Sequence, residues 1–211
     1  AVLPGAKGLR IRGVLSELDV APWQDLVNKY AGQDPGGSAN KLLNSADIKV
    51  GKLTAFGTTL DQASVQLNRK PGAWALALDS QQAKGTASLP DAKGVPIAVN
   101  MQYVKLPAAD PNVQTDENAP DPLASVDPTK IPALDITINQ LFQGQDLVGG
   151  WSLKIRPTAK GIALNSLDMG LKGILLQGNG GWEGTPGATN SWFKGRIGGK
   201  NLADVLKGWG F

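Results

Sequence analysis

The chain has 211 residues, 41% hydrophobic and 18% charged, with 27 glycines, 14 prolines and a formal net charge of +3. It contains no histidine and no cysteine, which excludes Ser-His-Asp and Cys-His triads, ordinary zinc sites, disulfides and an imidazole switch near neutral pH. Five acids and no base fall in residues 107–129, leaving +8 on the rest, a mildly basic body that suits anionic groups or an ordinary solvated surface.

Taken in order, the start AVLPGAKG has neither an initiating Met nor a signal-peptide pattern, and no apolar run approaches the roughly 18 residues of a membrane-spanning helix. A soluble piece, processed or excerpted from a longer protein, is expected. Leu9, Ile11 and Leu15 predict a first strand. Pro22 then opens a helix whose Trp23, Leu26, Val27 and Tyr30 share one face, and Gly32 ends it. After a Gly-rich loop, strands are expected near 47–53, 60–67, 73–79 and 83–89, with a type II turn at Pro71-Gly72, followed by one over 97–106 that has no obvious counterpart in the second half. Residues 107–132 form an acidic, Pro-rich spacer expected to be flexible.

The four-strand pattern then returns. An offset of 88 carries Ile48 to Ile136, Val50 to Ile138, Leu53 to Leu141, Val65 to Leu153, Leu67 to Ile155, Trp74 to Ile162, Leu76 to Leu164 and Gly85 to Gly173, so residues 47–88 and 135–176 are two copies of one unit. Apolar residues alternate with polar ones in each copy, the mark of strands with one wet face. NGGWEGTPGATN reads as a Gly-rich hairpin connection. Residues 191–198 make a last strand in which Phe193, Gly195 and Ile197 repeat Ile11, Gly13 and Leu15, and Asn201 caps a final helix carrying Leu202, Val205, Leu206 and Trp209 on one face. The flanking strand-helix units thus cover 9–31 and 191–210. The expected fold is a single mainly β domain over 1–211: a repeat-built antiparallel curved sheet, a groove or partly open barrel, with two short amphipathic helices.

GNGGWEGTPG superficially resembles a phosphate loop, but a strand follows it and no helix N-terminus is available to hold a phosphate. The acids show no metal-ligand or paired-carboxylate spacing, so neither an enzyme nor a cofactor is expected. Six tryptophans invite a sugar-stacking reading. Trp23, Trp74 and Trp209 sit in otherwise aliphatic patterns that point to core, which leaves Trp182 and Trp192 as a candidate platform. The apolar faces themselves fit two architectures equally: a closed sandwich or barrel, and a sheet whose face stays open as a groove.

The phrases LRIRGVLSELDVAPWQDLV, ADIKVGKLTAFGTTLDQASVQL, IPALDITINQLF and FKGRIGGKNLADVLKGWGF resemble the YhdP family, large AsmA-like proteins of Gram-negative bacteria, over nearly all of residues 9–211. The resemblance implies a periplasmic portion of an inner-membrane-anchored protein that carries phospholipid toward the outer membrane along a β-rich groove, without covalent chemistry. It implies membrane contact only through the full-length protein, possible contacts with other envelope proteins, and no nucleic-acid partner. The candidate acyl-chain contacts are Ile48, Val50, Val65, Leu67, Trp74, Leu76, Ile136, Ile138, Leu153, Ile155, Ile162 and Leu164. The rival readings are a structural or protein-interaction module with a closed core and, third, a carbohydrate-binding module.

Overall fold

A computed structural model describes residues 8–20, 43–55, 58–108 and 126–199, together with Asn201, Ala203 and Val205. The predicted helix at 22–31 and most of the spacer lie outside the described residues. The chain divides into two compact units, Ala1–Asp91 and Ala92–Phe211, and both are built from β-strands.

In the first unit the strands are β1 (Leu9–Asp19), β2 (Leu43–Ala55), β3 (Thr58–Lys70), β4 (Ala73–Asp79) and β5 (Ala83–Pro90), hydrogen-bonded in sequence order. β2 to β5 form antiparallel hairpins, as the four-strand pattern predicts. The Pro71-Gly72 turn has Gly72 at φ +75°, the conformation that a type II turn demands. β1 instead pairs with β2 in parallel, Ile11 beside Ala46 and Leu15 beside Val50. Strand periodicity fixes which side chains share a face but carries no information on strand direction, so this was not readable from the alternation.

The second unit contains β6 (Ile97–Leu106), β7 (Leu134–Gln143), β8 (Asp146–Pro157), β9 (Gly161–Leu171), β10 (Ile174–Thr185) and β11 (Ala188–Gly199), again neighbours in sequence order. β6 runs parallel to β7, and β7 to β11 are antiparallel. The strand without an obvious counterpart thereby gains one. Ile97 pairs with Leu134 as Ile11 does with Ala46, and Met101 pairs with Ile138 as Leu15 does with Val50. The repeat is therefore five strands, β1–β5 and β6–β10, each opening with a parallel crossover, and β11 carries the opening pattern a third time.

Register also corrects the ungapped match near its end. Leu78 pairs with Val65, and its counterpart beside Leu153 is Leu167, one residue beyond the offset of 88. Gly85 lies in β5 opposite Leu78 and so corresponds to Gly178, not to Gly173, which occupies the β9–β10 turn at φ +85°. A bulge in β9 and a longer hairpin absorb the difference.

The Gly-rich stretch is mostly strand. β10 runs through Trp182 to Thr185, and only Pro186-Gly187 turns, with Gly187 at φ +78°. Its glycines exist because β11 lies close: a Cβ on Gly178 would come within 2.5 Å of the Phe193 ring, and one on Gly180 within 2.5 Å of the Trp192 carbonyl. The end of the spacer is also built. Asp127 caps a single 3₁₀ turn, Pro128–Lys130, accepting from the Thr129 backbone N–H at 3.0 Å and the Thr129 hydroxyl at 2.6 Å. Pro128 is fully buried where this turn packs against β9 and β10. At the C-terminal end, Asn201 caps as expected, its Oδ1 accepting from Ala203 N–H at 2.9 Å.

Candidate functional site

Directly paired residues in neighbouring strands project to the same face, so the register sorts every side chain. In the first unit Ile48 faces Val65, Val50 faces Ala63, Leu67 faces Leu76, and Trp74 faces Leu89. In the second, Ile136 faces Leu153, Ile138 faces Trp151, Ile155 faces Leu164, and Ile162 faces Trp182. The twelve residues singled out from the sequence thus form one apolar face in each unit, six on each. Asp47, Lys49, Gln66 and Asn68, and Asp135, Thr137, Lys154 and Asp168, occupy the opposite faces.

Simple alternation missed part of this face. Gln62, opposite Gly51 in an unbroken β2–β3 register, adopts φ +51°, a left-handed conformation that turns the strand between Val50–Ala63 and Leu53–Leu60. The alternation inverts there, so Leu53 and Leu60 join Val50 and Ala63 in one cluster with Leu18, Ile48, Val65 and Leu78. The β4–β5 turn holds this segment in place. Asp61 N–H donates to Gln82 Oε1 at 2.8 Å, Gln82 Nε2 donates to Asp61 Oδ2 at 2.6 Å, and Gln81 Nε2 donates to Gln62 Oε1 at 3.1 Å. The same inversion recurs where Ile138 pairs with Trp151 but Leu141 with Gly149, which adds Leu141 to the second face. The readable signal is a three-residue step repeated at the offset of 88, Val50 to Leu53 and Ile138 to Leu141.

These faces are not closed. Among the described residues only Val50, Leu53, Ala63, Ala83, Ala133 and Ile162 are buried hydrophobics. Of the twelve candidates Val50 (2% exposed) and Ile162 (8%) are buried, and the other ten remain half-buried. A sandwich interior would leave such positions with almost no accessible surface. At the outer strands exposure rises further: Leu15 on β1 and Phe193 on β11 are exposed although both belong to the apolar faces.

One charged pair borders the first unit's face. Arg69, opposite Trp74 in register, lies over its indole at 5.2 Å from the ring centre and grips Asp91 with both terminal nitrogens, Nη1 donating to Oδ1 at 2.7 Å. The Arg69 hydrogen bonds hold the Asp91 carboxyl below the ordinary aspartate value of 3.8, and the same contact raises the arginine pKa. Trp74 is therefore occupied by a cation rather than offered as a bare ring. Trp182 and Trp192 fail as a shared platform for a simpler reason. Trp182 pairs with Ser191 and Trp192 with Gly181, so the two rings lie on opposite faces of the sheet.

Among the described residues no helix is long and apolar enough to cross a membrane, and no cluster of His, Cys, Asp or Glu has metal-site geometry. No curated protein and no solved structure matches the chain. The family model described as YhdP protein matches residues 1–211, and the chain belongs to the YhdP family.

Proposed function

We propose that the apolar face of each unit is a non-enzymatic binding surface for phospholipid acyl chains, part of a conduit carrying lipid through the periplasm of the cell envelope. Family membership is consistent with a lipid-transport role in the envelope. The observation that carries the reading is the half-buried state of ten of the twelve aligned apolar residues. A soluble protein rarely leaves a continuous apolar strip on its surface without a ligand for it. Each methylene removed from water contributes about 0.8 kcal/mol, so ten methylenes laid along the strip give about 8 kcal/mol before ordering costs are subtracted. The wet opposite faces leave headgroups in solvent. No proton transfer, nucleophile or cofactor enters this role.

Native mass spectrometry tests the proposal on the intact chain exchanged into phosphatidylethanolamine and phosphatidylglycerol. Phospholipid adducts that survive desolvation are expected. A protein that remains lipid-free and also fails to enhance an apolar dye would overturn the proposal and favour a closed interaction module.

A further inference from the structure

A cleft of about 660 Å³ lies at the end of the first unit where β3 turns into β4, and it is lined on the polar face by Arg10, Arg12, Ser45, Asn68 and Lys70. The pairings across three strands bring them together. Arg10 sits beside Ser45 and Ser45 beside Asn68, with Arg12 one step along β1 and Lys70 one step along β3 on the same face. Arg69, which also borders the cleft, is committed to Asp91, so that pair adds no net charge. The acid nearest in register is Asp47, opposite Arg12 on this face and outside the cleft lining, and it has Lys49 as its other cationic neighbour along β2. No described acid forms an ion pair with Arg10, Arg12 or Lys70.

The repeat shows that this cluster is not a by-product of the fold. The positions equivalent to Arg10, Arg12, Ser45 and Lys70 in the second unit are Pro96, Ala98, Ala133 and Thr158. The equivalent of Asn68 is Arg156, whose Nη1 already donates to Asp135 Oδ1 at 2.7 Å, Ile155 O at 2.8 Å and Leu134 O at 3.2 Å. Two arginines and a lysine converging with an amide and a hydroxyl match the donor set that holds a phosphate: planar forks for paired oxygens, a mobile point charge, and neutral donors to complete the shell. The cleft is open to solvent on one side, which leaves room for the esterified group beside the phosphate.

We infer that Arg10, Arg12 and Lys70 form a phosphate-ester binding site on the polar face of the first unit, separate from the apolar face and independent of it. The ester is either a soluble small molecule or the headgroup of a lipid presented by a membrane, and two probes tell these apart. Calorimetry with glycerol 3-phosphate reads the first. Flotation with vesicles of phosphatidylglycerol and phosphatidylcholine in equal parts reads the second. The double variant Arg10→Ala/Arg12→Ala is expected to lose at least about tenfold in affinity for whichever probe binds, since charged hydrogen bonds of this kind are lost together. Lys70→Gln, in a different strand, gives a smaller loss and guards against a local fault in β1. Lys49→Ala removes a cation of the same face outside the cleft and is expected to change nothing. Binding of the soluble ester, or of vesicles alone, supports the site and names the source. Binding of neither probe, or an equal loss with Lys49→Ala, overturns it.

Discussion

Val50→Asp is expected to unfold the first unit, while Leu67→Asp, on the same face, leaves it folded. Val50 is 2% exposed at the centre of the cluster with Leu53 and Ala63. A carboxylate there has no partner and no water, and burial of an unpaired charge costs about 3–5 kcal/mol, a large share of the stability of a small unit. Leu67 packs against Leu76 across the β3–β4 ladder and is half-buried, with part of its surface accessible. Its replacement weakens its cross-strand contacts with Ala46 and Leu76, about 1 kcal/mol. Urea denaturation followed by circular dichroism measures both variants. A closed core behind this face would make the two substitutions equally damaging, and that result would exclude an open surface.

Charge placed on the open strip should cost lipid affinity without costing the fold. Leu67→Asp in the first unit and Leu153→Asp in the second each interrupt a strip that an acyl chain would follow. Excluding about four methylenes from apolar contact removes about 3 kcal/mol, roughly a hundredfold in affinity. The neighbours Gln66 and Ser152 point to the polar faces, so Gln66→Asp and Ser152→Asp introduce the same charge in the same strands and are expected to bind as the parent does. Titration with a fluorescent phospholipid reports all four. Equal losses from both pairs would show that charge, and not the face, governs binding.

The strands and their inward side chains were legible because period-2 alternation is a local property, and an offset of 88 brought each candidate to its partner copy. Direction was not legible: the parallel pairing of β1 with β2 arises from the crossover, which alternation does not encode. The left-handed turn at Gln62 kept Leu53 and Leu60 out of the candidate face, since a residue at positive φ inverts the pattern without any change in polarity. The second part of β10, from Asn179 on, read as a hairpin connection because its glycines contribute no apolar signal, although they admit Phe193 and the β11 backbone. Whether the apolar face is covered was illegible in principle, because the same alternation serves a sandwich and an open strip. Solvent exposure at Leu15 and Phe193, with Leu67 left half-buried, decides it, and exposure belongs to tertiary structure.

A photo-crosslinking scan tests directly whether acyl chains lie on the apolar face. A photoreactive phenylalanine is placed one residue at a time from Asp135 to Ile138 and from Val65 to Asn68, and the protein is irradiated in the presence of phospholipid. Lipid adducts at Ile136, Ile138, Val65 and Leu67, with none at Asp135, Thr137, Gln66 and Asn68, are the predicted result. Adducts without alternation, or adducts only on the polar positions, would contradict an acyl-binding face.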